Sequence, residues 1–239
     1  MIKFFRKIRQ RLLSENKTGK YLKYAVGEIL LVMVGILLAL QVSNLNEERK
    51  FVEKERILLI QLKNNLDDNL SQLDNSFTMY ENKINSIKIV TQHAEQELPY
   101  NDVLSKHFFG TFSEGVPNLT SSTYETFKSI GLDFIKSAIL REQIINLYEL
   151  TYSKLLVNMN DILNNWETQM IVPYYSSNFS FNGSDGLMPN QYDKVMKDQK
   201  FKNILSARNS LFLNVLNDIT GIKIETQKVI NQIDNYLNN

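Results

Sequence analysis

Glu28 is the one charged residue in the stretch "YAVGEILLVMVGILLALQV", Tyr24 to Val42. A carboxyl in so apolar a setting can pair with a base, keep its proton, or fix the register of two helices, and is read first as a functional group. On a helix it shares a face with Leu31, Gly35, Ala39 and Val42, at steps of three and four. Gly35 and Ala39 form a small-xxx-small pair that lets helices approach closely. The expectation is a transmembrane association face, with Glu28 protonated or paired with Lys23 of a neighbour. The alternative is a carboxyl that reaches the headgroup layer beside its own lysines.

Other groups for chemistry are sparse. The two histidines, His93 and His107, lack the H-E-x-x-H spacing of a zinc site and read as surface residues. With no cysteine, thiolate metal sites, cysteine nucleophiles and disulfides are excluded. Neither a nucleophile elbow nor a glycine-rich phosphate loop occurs. Asp67 with Asp68, and Asp133 with Glu142, are too scattered to nominate an acid/base pair. No enzyme activity, metal or cofactor is expected.

The elements that position Glu28 follow from length and charge. Ile29 to Val42 is only 14 residues, about 21 Å of helix, whereas a hydrocarbon core of ~30 Å needs about 20 residues. The span therefore takes in 24–43, with Glu28 one turn inside the boundary. Eight lysines and arginines stand in the first 24 positions against Glu15 alone, so a net +7 there leaves −6 for the rest. That block orients the N-terminus to the cytoplasm, and the acidic remainder argues against a nucleic-acid partner. "LALQVSN" offers no clean cleavage site, so the span reads as an uncleaved signal anchor. Before it, "MIKFFRKIRQRLL" has the pattern of a helix lying in the headgroup layer, or of a basic tail.

Beyond the span, Leu38, Leu45, Val52, Leu59, Leu66, Leu73, Tyr80 and Ile87 recur every seven residues, and no Pro or Gly interrupts 41–98. The reading is a stalk at 44–58 with a coiled-coil seam of Leu45, Val52, Leu59, Leu66 and Leu73; beyond Leu59 the same helix is read as part of a bundle within one chain. "SSTYETFKSIG" predicts a short helix with Ser122 and Glu125 as a capping box and Gly131 as its stop. A second long helix follows on Leu140, Ile144, Tyr148, Thr151, Leu155, Met159, Ile162, Trp166 and Met170, ended by Pro173. Residues 173–190 read as a loop whose aromatics cover the end of the bundle or, as the alternative, touch lipid. Phe201, Leu205, Arg208, Phe212, Val215, Ile219, Ile222, Val229 and Ile233 trace the last helix.

The fold class is therefore all-α: an N-terminal transmembrane helix that continues into an elongated antiparallel bundle, with 1–23 as a basic cytoplasmic segment and 59–239 as a periplasmic domain. Expected partners are the lipid bilayer and a second copy or another membrane protein, with the bundle acting as scaffold or adaptor. A ligand-sensing domain like periplasmic four-helix receptor modules is the alternative, weakened because the chain ends at "NYLNN" without a route back to a cytoplasmic output. The span also looks like a pilin opening, but the glycine-to-glutamate spacing that pilin processing requires is absent.

The opening 50 residues, with "SSTYETFKSIG" and "LREQIINLYE", resemble a family of single-pass membrane proteins from Bacteroidota, a domain of unknown function numbered 6090. Leu45 stands where the family pattern has tryptophan. The resemblance implies class and location, and no activity, ligand or catalytic residue.

Overall fold

The computed structural model describes residues 18–112 and 115–238. The amphipathic segment expected before the span lies outside the described residues. The chain divides into two compact units, Met1–Arg56 and Ile57–Asn239.

Helix α1, Thr18–Glu95, contributes to both units. In the first unit its apolar residues from Ile29 to Val42 are all exposed. A run of leucine, isoleucine and valine that none of the described residues covers is unlike a soluble core helix. It is long and apolar enough to cross a membrane.

The second unit has a core of its own, and the chain is all-α apart from one short hairpin. From Leu59 to Ile87 the heptad positions of α1 are buried. The chain then turns back along α1 as α2 (Leu104–Phe112), an extended stretch and α3 (Ser122–Ile130). Its path is fixed by Ser86 against His107, Tyr80 Oη donating to Gly115 O at 2.9 Å, and Asn69 against Thr120. A helical run then passes through α4 (Ala138–Ile145), α5 (Ser153–Ile162) and α6 (Val172–Asn178). The strands β1 (Phe179–Phe181) and β2 (Leu187–Pro189) pair antiparallel, with Ser180 opposite Met188. Helices α7 (Tyr192–Lys197) and α8 (Gln199–Asn238) complete the chain. Lys63 pairs with Asp234, Lys223 with Asp74, and Tyr80 with Phe212, so α8 runs antiparallel to α1. Tyr152 meets Thr226 and Glu167 meets Arg208, which makes α8 antiparallel to the middle run as well. The result is an up-down-up-down bundle whose second segment is only partly helical.

Three details depart from the sequence reading. Ser122 caps nothing with its own side chain; it is the first residue of α3, and its hydroxyl donates to Asn65 Oδ1, which also accepts from Thr123 N–H. A side chain from α1 thus satisfies an orphan donor that a capping box would have served. Pro173 does not stop the middle run: it stands in the first turn of α6, where its missing N–H costs nothing. Beyond α6, residues 179–189 form the hairpin in place of a loop, and Tyr174, Tyr175 and Phe179 cover the end of the bundle while Phe181 faces out.

The fourth departure concerns which face of the middle run points inward. Its turns widen to π geometry at Asn146–Tyr152 and Leu163–Ile171. Wide turns advance the face by an extra residue. Tyr152 is buried in place of the expected Thr151, and Ile171 is buried while Trp166 and Met170 stay exposed.

Candidate functional site

The residues singled out at the span share one helix, α1. Leu31 and Val42 are exposed, Glu28 is half-buried, and a side chain added at Gly35 would meet nothing within 4 Å. The seam residues part company: Leu45 and Val52 are 52% and 46% exposed, while Leu59, Leu66 and Leu73 have no exposed surface. Those last three are core of the chain's own bundle.

The bundle holds a buried ionic node. Arg208 is 1% exposed; its Nη1 donates to Glu167 Oε1 at 2.6 Å and its Nη2 to Phe112 O at 3.1 Å, while the guanidinium lies 5.0 Å from the Phe212 ring centre. It ties α8, the wide turn and the end of α2 together. Beside it Tyr175 donates to Thr111 Oγ1 at 2.8 Å, since that hydroxyl already donates to Phe108 O. Burial pushes the Tyr175 phenol up to about 12, against the pull of Arg208. The sequence carried a signal for this node, an arginine in the apolar stripe of the last helix. Glu167 carried none, because only the π turn brings it inward.

A tyrosine ladder occupies the other wide turn. Tyr124 stacks on Tyr148 at 4.4 Å, and Tyr148 meets Tyr152 edge-on at 5.2 Å. Tyr124 Oη donates to Glu149 at 2.9 Å, and Lys128 bridges Glu125 and Glu149. The bonds from Tyr124 and then from Lys128 hold the Glu149 carboxyl below its usual range. Burial raises the Tyr148 phenol.

Between α1 and α8 a groove of about 770 Å³ has Ile87, Ala94 and Leu205 at its floor and Lys88, Gln92 and Lys202 among its lining. Among the described residues no three His, Asp or Glu side chains converge as a metal site.

The span and most of the bundle are matched together by one family model, a family of unknown function (DUF6090), over residues 28–207. The chain belongs to this family. The family match opens on Glu28 and closes at Ala207, so it takes in all but the first turn of the span, the seam and both wide turns, and stops just short of Arg208. No curated protein and no solved structure matches the chain.

Proposed function

We propose that this family member is a single-pass inner-membrane protein with a cytoplasmic N-terminus and a periplasmic bundle, acting as a scaffold or adaptor through helix contacts and not as an enzyme. The observation that carries the reading is the contrast within α1 between a bare apolar stretch at Ile29–Val42 and a sequestered core from Leu59 onward. Lipid is the cover that a stretch of that length and composition requires. The excess of Lys and Arg before the span supports the orientation. Glu28, Leu31, Gly35, Ala39 and Val42 would then form the face toward a second copy or another membrane protein, with Leu45 and Val52 continuing it outside the bilayer.

Crosslinking in the native membrane followed by affinity purification, comparing wild type with Glu28→Gln, tests the role. A stoichiometric second protein weakened in the variant supports an adaptor; recovery of the chain alone in both overturns it. Gly35→Leu is expected to abolish disulfide trapping between cysteines introduced into neighbouring copies, and Leu37→Ala to leave it intact. An alkaline phosphatase fused after Asn239 is expected to be active; an active cytoplasmic reporter there reverses the orientation.

The groove between α1 and α8 favours a second reading, a ligand-sensing module. A small-metabolite screen that shifts the melting temperature of the full chain in detergent supports that reading, and one that shifts nothing removes it.

A further inference from the structure

The middle run and α8 leave a groove open between them, lined by these two elements alone. One section, of about 610 Å³, runs past Leu150 and Gly221. A second, of about 390 Å³, continues it toward Met159 and Leu211, with Leu155, Asn158 and Asp218 lining both. Leu155, Met159, Val215 and Ile222 are buried and form its floor. Its edges are apolar as well: Leu150 is 63% exposed on one side and Ile224 62% on the other. Leu150 belongs to the first wide turn and points out where Tyr152 points in. Gly221 adds a third observation. It lies inside a helix of 40 residues, where glycine is less favourable than alanine, and a Cβ there would meet nothing within 4 Å. A bare backbone at such a place lets a neighbour from outside the fold approach closely.

The charges on the two rims say what that neighbour is. Lys154 stands on the middle run, Asp218 and Glu225 on α8. Among the described residues neither Lys154 nor Asp218 has an ion-pair partner, and Glu225 reaches Lys228 of its own helix at 3.5 Å. The bonds from Tyr152 to Thr226 and from Arg208 to Glu167 set the register of the antiparallel pair. They put Lys154 level with the stretch of α8 between Asp218 and Glu225.

We propose that this groove is the bundle's interface with a second copy of the chain, related to it by a two-fold axis running along the groove. Such an axis lays the middle run of each copy over α8 of the other. Lys154 then falls between the partner's Asp218 and the partner's Glu225, and Leu150 comes beside the partner's Ile224, each contact made twice by symmetry. An axis across the groove would set the basic rim on the basic rim and the acidic rim on the acidic rim, where like charges repel. A partner of one charge sign would satisfy one rim, whereas a second copy satisfies both. The interface lies wholly within the bundle and does not rest on the association face of the span.

The chain has no cysteine, so single cysteines report the contact in the full chain in its native membrane. Two differently tagged copies, one with Asn158→Cys and one with Asn217→Cys, are expected to form a mixed disulfide on mild oxidation, in excess over either same-residue pair. Lys154→Glu in both copies is expected to cut the mixed disulfide about tenfold or more. Adding Asp218→Lys and Glu225→Lys to it is expected to restore the bond. All three residues are exposed, so the helical signal of these variants is expected to match that of the wild type. Gly221→Leu, whose Cβ meets nothing of the chain's own fold, is expected to lower trapping as well. The absence of a mixed disulfide overturns the interface, as does one that equals the same-residue pairs or is unmoved by Lys154→Glu. A photoactivated label on Asn217→Cys is expected to couple to a second copy; coupling to a different protein in its place overturns the proposal. Trapping at the span, read in the same membranes, keeps the two faces apart, because either contact can be lost while the other stays.

Discussion

Leu38, Leu45 and Val52 keep the same seven-residue spacing as Leu59, Leu66 and Leu73, on one uninterrupted helix, yet the first three are bare and the last three have no exposed surface. The spacing that marks a helix face thus says nothing about what covers that face. In the second unit the cover is supplied by α8 and the middle run. Along the first unit the described residues supply none. Burial of a leucine is worth roughly 1.5–3 kcal/mol wherever it occurs, but only in the bundle does that energy hold this chain's own fold.

Substitutions placed in pairs across the two regions test this contrast. The largest effect is expected at the ionic node: Arg208→Ala leaves Glu167 beside an emptied site and should cost the bundle about 3–5 kcal/mol, whereas Arg49→Ala on the exposed helix should stay within about 0.5 kcal/mol. Denaturant unfolding of the full chain in detergent reads both. Next comes Leu66→Ala, which opens a cavity in the core and should cost about 3 kcal/mol; Leu45→Ala, at the same heptad position, should leave bundle stability unchanged. If the two leucines cost the same, Leu45 is covered in a way that the chain alone does not provide, and a protein partner on the stalk becomes the explanation.

A smaller loss is expected from Asn69→Leu. Asn69 is fully buried, donates to Thr120 O at 3.0 Å and accepts from Thr120 N–H at 2.7 Å. Leaving those two backbone groups without partners should cost about 1–3 kcal/mol. Removing the exposed pair of Lys63 and Asp234 should change stability least of all, and less still in high salt. At alkaline pH the sharp boundary is set by tyrosine. Tyr124, Tyr148, Tyr174 and Tyr175 are all raised, with burial the leading cause. A raised phenol contributes stability that is complete below about pH 10 and disappears as pH climbs through the folded value. Unfolding midpoints should therefore fall above about pH 10, and tyrosinate absorbance should lag behind that of free tyrosine until the bundle opens.

The sequence was most readable where backbone geometry is ordinary. Phe201, Leu205, Arg208, Phe212, Val215, Ile219, Ile222, Val229 and Ile233 all prove buried, because α8 is one regular helix whose face never shifts. The all-α class was legible for the same reason. The middle run was misread at Thr151, Trp166 and Met170 because all three lie inside π turns, which shift the side chains within them and have no signature in residue type. In the second segment the short helix ending at Gly131 was readable, but its docking was not, since its hydrogen bonds go to Asn65, Asn69 and Tyr80, whose part no local pattern announces. The bond between His107 and Ser86 was not legible either, because it forms only once α2 turns back onto α1.

The antiparallel pairing of α8 with α1 also sets a timetable. Asp234, the partner of Lys63, leaves the ribosome roughly ten to thirty seconds after it, at a synthesis rate of ~5–20 residues per second. Throughout that interval Leu59, Leu62, Leu66 and Leu73 have left the tunnel while the helix that will cover them has yet to be translated. The first half of the bundle is thus exposed to aggregation during its own biosynthesis, and its production should depend on a chaperone or on slow release more strongly than its final stability would suggest.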